Sequence, residues 1–324
     1  MPNSKSITIA CATDKHYVEP LTVMLQTVFA HLPTNITADI YLISDNLDCQ
    51  QQISESLPDN ARIHWVTGLL ESLKDFPTWG EMPVSTYYKI KIGSLIPDGV
   101  EKVIWLDCDL FAECDLTELW NMEFDNVCLL ACPDQEVKFA SSARGVQGKT
   151  ENLIPSGAKY FNAGVLLIDL KRWRSDQVEA ACLRYLIENK SSIWYWDQEA
   201  LNAALLGNWG ELTWEWNYSP NVDPSSIQTR ATTSTPKIIH FTGKLKPWKY
   251  PMRIYTARYF DLLSKSKWNK TQPKYSATER IIGMYGHSIL RRFTQPFERM
   301  YTRLVRRRNQ GDWARRQAHV PRSN

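Results

Sequence analysis

The sequence predicts an α/β domain, a mainly parallel sheet flanked by helices. Three observations carry that expectation. Short apolar runs of strand length alternate with helix-spaced segments from residue 7 onward, and such alternation implies parallel strands joined by crossovers. Several runs are apolar at nearly every position, as in strands buried on both faces. Polar clusters stand where three of the runs end, which is where ligands collect in open sheets of this kind.

Ile7–Ala12 (ITIACA) reads as the first buried strand, ended by Thr13-Asp14-Lys15. Pro20–Phe29 has helical spacing, with Leu21, Met24, Leu25 and Val28 on one face and Pro33 as its stop. Asp39–Ile43 is the second strand, Leu47–Leu57 a helix before Pro58, and Arg62–Val66 the third strand. Thr86–Leu95 reads as a helix containing Lys89 and Lys91. Lys102–Leu106 (KVIWL) is a buried strand running into Asp107-Cys108-Asp109. Asn126–Ala131 and Gly164–Leu170 are two more strands, Ser175–Asn189 and Asp197–Leu206 are helices, and Lys237–Phe241 is a last short strand.

Beyond residue 250 the pattern changes. Ile281, Tyr285, Ile289, Phe293, Phe297, Tyr301 and Val305 recur at every fourth position, widened by Leu290, Met300 and Leu304 and interspersed with arginines. This predicts a basic amphipathic helix, kinked at Pro296, of the type that lies in a membrane interface, the alternative being a helix that packs back on the domain. Residues 309–324 are expected to be disordered. Residues 251–324 hold 17 Lys and Arg against 4 Asp and Glu, a balance of +13, whereas residues 1–250 hold 21 against 31, or −10. An acidic body with a basic tail points to an anionic surface as partner.

The 324 residues suffice for one large domain or two ordinary ones, and 43% hydrophobic with 23% charged residues excludes wholesale disorder. The 13 Trp and 14 Tyr supply flat, hydrogen-bonding side chains of the kind that sugar and nucleotide sites stack against. No apolar run is long enough to span a bilayer, and the first residues lack the apolar core of a secretory signal. Seven cysteines, at 11, 49, 108, 114, 128, 132 and 182, form neither a CxxC pair nor a zinc spacing, which suggests reduced thiols in a cytosolic protein. Neither GxGxxG nor GxxxxGK[ST] occurs, against a dinucleotide dehydrogenase or a P-loop kinase.

Three constellations could carry chemistry. Asp107 and Asp109, one residue apart at a strand end, can both reach one hard cation such as Mg²⁺ or Mn²⁺. His240 ends a strand and is followed by Gly243, Lys244 and Lys246, which suit a phosphate; with the two aspartates it would complete an O, O, N cation site over a diphosphate. Asp197-Gln198 follows the aromatic run Trp194-Tyr195-Trp196. It is either an N-cap with a solvated neighbour or a pair placed on a sugar.

In this order, IACATDKHY (Ile9–Tyr17), STYYKIKIG (Ser85–Gly93), VIWLDCD (Val103–Asp109), YFNAGVLLIDLKRW (Tyr160–Trp173), WDQEALN (Trp196–Asn202) and IIHFTGKLKPW (Ile238–Trp248) resemble the retaining glycosyltransferases of family 8. FNAGV and H-x-x-G-x-x-K-P-W are the specific parts. The look is that of bacterial lipopolysaccharide galactosyl- and glucosyltransferases. The resemblance implies a GT-A fold, a Rossmann-like mixed sheet, over residues 1–250, with residues 251–308 as a basic aromatic helical extension.

The resemblance also implies roles. Asp107, Asp109 and His240 would hold Mn²⁺ or Mg²⁺, with Cys108 between the two aspartates beside the nucleotide. Ala12, Asp14 and Tyr17 would bind uridine, and Gly243 and Lys246 the diphosphate. Asn162, Ala163, Asp197 and Gln198 would line the donor hexose, Asp197 and Gln198 being the catalytic pair. Lys89 stands where the family often has Arg, keeping the charge without the planar fork. The implied reaction takes a hexose from a UDP-sugar to a saccharide or glycolipid acceptor, such as a lipopolysaccharide. The setting would be the inner face of the cytoplasmic membrane, seated through residues 275–308.

Gln198 is a weak nucleophile, so front-face attack is expected rather than the paired carboxylates of a retaining glycosidase. A hydrolase using Asp169 and Asp197, and a non-enzymatic membrane- or nucleic-acid-binding module driven by the tail, are the competing classes. On the favoured reading no nucleic acid is a partner.

Overall fold

The computed structural model describes residues 6–45, 48–68, 73, 76, 83–142, 144–147, 153–190, 192–221 and 234–285. Its centre is a seven-stranded sheet of β1 (Ser6–Ala12), β2 (Thr37–Ile43), β3 (Ala61–Val66), β4 (Lys102–Leu106), β6 (Leu129–Pro133), β7 (Phe161–Asp169) and β8 (Gly210–Glu211). The order is β3-β2-β1-β4-β7-β6-β8. Every pairing is parallel except those of β7 with β4 and β6. A separate two-stranded ribbon pairs β5 (Leu110–Ala112) with β9 (Ile238–His240).

Alternation along the strands feeds two cores, one on each face of the sheet. Ile7, Ile9 and Cys11 of β1, Ile104 and Leu106 of β4, and Val165 and Leu167 of β7 face α1 (Val18–His31) through Leu21, Met24, Leu25 and Val28. Ala10, Val103, Trp105, Leu166 and Ile168 point the other way, against Tyr87, Ile90, Trp173 and Leu201. Both faces are therefore covered, as a mainly parallel sheet requires.

Several boundaries differ from the sequence expectation. The strand expected at Asn126–Ala131 starts only at Leu129, because Asp125 and Asn126 sit at φ 43° and 71° in a left-handed turn. The strand expected from Gly164 starts earlier, at Phe161, and Leu170 already belongs to α5 (Leu170–Ser175), which Asp169 caps through the Arg172 N–H. The helix expected over Ser175–Asn189 is broken at Gln177 (φ 53°), so that α6 is Val178–Glu188.

Thr86–Leu95 is mostly a 3-10 helix, Val84–Lys91, followed by one α-turn, α3 (Ile92–Leu95). Burial of the four successive residues Tyr87, Tyr88, Lys89 and Ile90 leaves no exposed face there for a regular amphipathic helix. The helix expected at Leu47–Leu57 shortens to α2 (Gln50–Ser54), with Leu47 outside the described residues. β5, α4 (Thr117–Trp120) and β8 were not expected, being too short to leave a periodic signal. The Asp197–Leu206 helix is α7 (Trp196–Leu205).

Past residue 250 the chain packs on the body. Tyr259 and Leu263 of α8 (Arg253–Lys265) share a core with Val23, Phe111 and Phe241. Trp268 Nε1 donates to Thr22 Oγ1 at 3.0 Å. Of the expected tail helix, α9 (Ala277–Tyr285) is described, and Gly283 approaches Pro251 so closely that a Cβ there would lie 2.4 Å from its carbonyl oxygen. The remainder of the stripe and Pro296 lie outside the described residues. No helix among the described residues is long and apolar enough to cross a membrane. None of the seven cysteines is in a disulfide.

Candidate active site

The three strand-end clusters meet at one edge of the sheet. After β1, Asp14 closes a turn in which its Oδ1 accepts from the backbone N–H groups of His16 (2.7 Å) and Tyr17 (3.1 Å). After β4, the Asp107 N–H donates to the Gly164 carbonyl at 2.9 Å, tying the start of the Asp-Cys-Asp segment to β7. The Cys108 thiol donates to the Ala12 carbonyl at 2.7 Å, tying it also to β1. The ribbon then does what no local pattern could: β5 pairs Leu110 with His240, and the Phe241 N–H donates to the Asp109 carbonyl at 2.9 Å.

Asp107, Asp109 and His240 thereby offer two carboxylates and an imidazole whose ligand atoms lie within 4.8 Å of one another. His240 Nε2 is 3.3 Å from Asp109 Oδ1, and its Nδ1 is 2.9 Å from Asn217 Oδ1. Gly164 makes room for the ring, since a Cβ at that position would lie 2.2 Å from His240 Cε1. Such a donor set suits a divalent cation, with the second ring nitrogen already engaged.

Two buried lysines answer the carboxylates. Lys246 donates to Asp109 and to the Phe241 carbonyl. Burial opposes ionisation of Asp109, but Lys246 and His240 outweigh it and hold the carboxyl well below its usual range. Lys89, only 4% exposed, reaches Asp107 at 3.0 Å, Asp197 at 2.8 Å and the Ala163 carbonyl at 3.0 Å. Burial pushes the Lys89 ammonium down, yet the attraction of Asp107 and Asp197 prevails and its pKa is raised.

Around Asp197 and Gln198 the cavity wall combines carboxylates with amides. Asp197 is buried at the second position of α7 rather than at its N-cap, which is Tyr195, so the capping reading does not hold. Its carboxylate is shared between Lys89 and the Thr86 hydroxyl, which donates at 2.6 Å. Gln198 accepts from the Ala163 N–H at 3.1 Å and donates to Asp134 Oδ2 at 3.1 Å. Asn162 donates to the same Asp134 oxygen at 3.1 Å. Behind them the Glu199 carboxylate accepts from the Tyr185 hydroxyl (2.6 Å) and the Trp194 and Tyr195 N–H groups (2.6 and 3.1 Å), clamping the entry to α7. Burial pushes its pKa up to about 7, against those donors.

Apart from Glu199 and its partners Tyr185 and Trp194, which lie behind the wall, these side chains line one cavity of about 750 Å³. Every residue of the transferase reading is on its wall: Ala12, Asp14, Tyr17, Lys89, Asp107, Cys108, Asp109, Asn162, Ala163, Asp197, Gln198, His240, Gly243 and Lys246. Gly243 sits at φ 69° with open space around its α-carbon, so backbone can approach a ligand there. Asp169 is elsewhere, capping α5, and does not meet Asp197 as a hydrolase pair would need.

Sequence reasoning missed Thr86, Trp105, Asp134, Asn217 and Asn221, which also line the cavity. Trp105 Nε1 donates to Asp107 at 2.8 Å, and Asn221 Nδ2 bridges the Thr242 and Leu245 carbonyls at 2.8 and 2.7 Å, holding the turn around Gly243. The position of Asp134 just after a strand was the one available signal, hidden by the misplaced end of β6.

A profile of the family described as Glycosyl transferase family 8 matches residues 8–251. General stress protein A of Bacillus subtilis is 26% identical over 280 residues, covering 81% of this chain and 94% of that protein. Lipopolysaccharide 1,3-galactosyltransferase of Salmonella typhimurium is 25% identical over 273 residues, covering 81% of this chain and 79% of that protein. Among solved structures, the galactosyltransferase LgtC in complex with donor and acceptor sugar analogues superposes with a TM-score of 0.68 at 24% identity, over 81% of this chain and 96% of that one.

Proposed function

We propose that this chain, which belongs to glycosyl transferase family 8, moves a hexose from a UDP-sugar to a hydroxyl of a saccharide or glycolipid acceptor, with retention at the anomeric carbon. One observation carries the reading. A single cavity is lined by the Asp107–Asp109–His240 cluster, by Lys246 and by the Asp197–Gln198 pair, with the Lys89 ammonium joining Asp107 to Asp197. That arrangement suits a diphosphate followed by a sugar. The relatives named as lipopolysaccharide galactosyl- and glucosyltransferases, and the donor and acceptor analogues bound in LgtC, support it and favour a cell-surface glycan as acceptor.

In this reading Ala12, Asp14 and Tyr17 hold the uridine. Asp107, Asp109 and His240 hold Mn²⁺ or Mg²⁺, which when bound supplies Lewis-acid neutralisation of the leaving diphosphate. Lys246, with the turn at Gly243, meets the charge that develops on the diphosphate as the glycosidic bond to UDP breaks. Asp197 retains acceptor capacity beyond Thr86 and Lys89 and takes hydrogen bonds from sugar hydroxyls. The Gln198 amide is held by Ala163 and Asp134 beside the anomeric carbon, where it stabilises positive charge rather than forming an ester. The acceptor hydroxyl then attacks on the face UDP leaves. Its oxygen bonds to the anomeric carbon, and its proton passes to the departing phosphate oxygen.

Residues 1–250 form the catalytic unit of this proposal and 251–308 its extension, seated through residues 275–308 on the anionic inner face of the cytoplasmic membrane. A non-enzymatic module would leave the cavity without a use. The test is UDP release from UDP-glucose and UDP-galactose with Mn²⁺, with and without EDTA. Release that depends on the cation and rises with a saccharide acceptor is expected; full release in chelator, or none from any UDP-hexose, would overturn the proposal.

A further inference from the structure

We infer that Asn217 fixes the tautomer of His240, and that two partners of fixed hydrogen-bonding role, the Gly164 N–H and the Asp134 carboxylate, fix Asn217 through Asn162. The inference rests on the reading of Asp107, Asp109 and His240 as a cation site and asks what aims the imidazole at it. The Gly164 N–H can only donate, and it donates to Asn162 Oδ1 at 3.0 Å. The Asp134 carboxylate takes backbone N–H groups on Oδ1, from Glu136 (2.8 Å) and Val137 (2.7 Å), and faces the other end of Asn162 with Oδ2 at 3.1 Å. Asn162 is thus oriented from both ends, oxygen toward Gly164 and NH₂ toward Asp134.

The same Asn162 oxygen lies 2.8 Å from the Asn217 amide, which must therefore present its NH₂. The opposite end of Asn217 is then its oxygen, 2.9 Å from His240 Nδ1, and an oxygen there requires a proton on Nδ1. A neutral ring protonated at Nδ1 carries its lone pair on Nε2, the atom beside Asp109. With Asn217 reversed, the proton would sit on Nε2 and block ligation. Asn217 is buried, and its chain neighbour Tyr218 is laced to β9, donating to the Ile238 carbonyl (2.9 Å) and accepting from the His240 N–H (2.7 Å). Gln198, held on the same Asp134 oxygen, takes its orientation from the same reference, so the cation ligand and the sugar-end amide are set by one carboxylate.

The test reads the imidazole directly. Long-range ¹H–¹⁵N correlation of ¹⁵N-labelled protein, metal-free and at mildly alkaline pH, is run with the His240 signal assigned by its loss in His240→Gln. The unaltered protein should show the proton on Nδ1. Asn217→Ala should shift the ring toward the Nε2-protonated form and weaken Mn²⁺ binding, by calorimetry, about 10–100-fold. Asn217→Asp keeps an oxygen toward Nδ1 and gives up the bond to Asn162, so it should keep both the tautomer and the Mn²⁺ affinity. A ring protonated on Nε2 but not on Nδ1 in the unaltered protein, or an Asn217→Ala protein with unchanged tautomer and affinity, overturns the inference. So does an Asn217→Asp protein that is folded yet behaves like the alanine variant. A proton on Nε2 in addition to Nδ1 reflects the Asp109 carboxylate 3.3 Å away and agrees with the inference. An unaltered protein with the Nδ1 proton but no Mn²⁺ binding sinks the cation-site reading and leaves the tautomer assignment standing.

Discussion

The two ends of the cavity hold their side chains by different means. Around Asp107 and Asp109 formal charges face one another, with Lys246 on Asp109 and Lys89 on Asp107. Around Gln198 the partners are amides and a single carboxylate, Asp134, which already accepts from four N–H donors, two on each oxygen. Removing one member of a buried charge pair strands the other, at a cost of about 3–5 kcal/mol. Removing one member of an amide network leaves a neutral group unpaired, at about 1–3 kcal/mol. The charged end is the more fragile of the two, and on the proposed function it is also the end that meets the diphosphate.

The largest effect should follow from Asp109→Ala. It removes a proposed cation ligand and strands Lys246, so UDP release should fall by about a thousandfold or more, with Mn²⁺ binding lost and the melting temperature lowered. Activity within tenfold of the unaltered protein would erase the contrast between the two ends. Asp197→Ala comes next, because Asp197 belongs to both ends through Lys89 and Thr86. A loss on the order of a hundredfold in kcat/KM for the donor is expected, corresponding to about 3 kcal/mol.

Gln198→Ala should cost less, about tenfold, since water can replace part of an amide's role. Gln198→Glu sharpens the comparison. It would place a second carboxyl at hydrogen-bond distance from Asp134, so the two must share a proton, and the variant's rate should rise as the pH falls. A pH–rate profile parallel to that of the unaltered protein would mean that the two groups do not face each other during turnover.

The smallest effect concerns stability. Glu199 has its carboxyl raised from 4.5 to about 7 by burial, so the folded state holds the proton more tightly than the unfolded chain. Its contribution is complete below about pH 4.5 and is lost as the pH rises through about 7. Glu199→Gln cannot lose that proton, so its melting temperature should fall less between these pH values than that of the unaltered protein. Identical pH dependence in the two proteins would place the titration elsewhere.

Legibility followed closeness along the chain. Asp107 and Asp109 could be picked out because both sit at the end of one apolar strand, and His240, Gly243 and Lys246 because they share one short segment. Asn217 and Asp134 could not, because an isolated polar residue after an aromatic or a proline looks like any solvated loop. Their roles exist only through partners such as Asn162, 55 residues from Asn217, and Gln198, 64 residues from Asp134. Thr86 likewise acquires its meaning from Asp197, 111 residues away.

What the sequence alone determined was the alternation of buried strands and helices, the strand ends that carry polar groups, and the charge contrast between the body and its basic tail. Hydrophobic period and local motif are properties of neighbouring residues, so they survive without the fold. The tertiary structure decided the rest: that β5 and β9 leave the main sheet and bring Asp109 to His240, that α8 and Trp268 pack back onto α1, and that Lys89 lies between two carboxylates. Those outcomes depend on which buried polar group finds which partner across the chain. An unpaired charge or amide in a packed interior is too costly to leave, so only the complete fold settles the pairing.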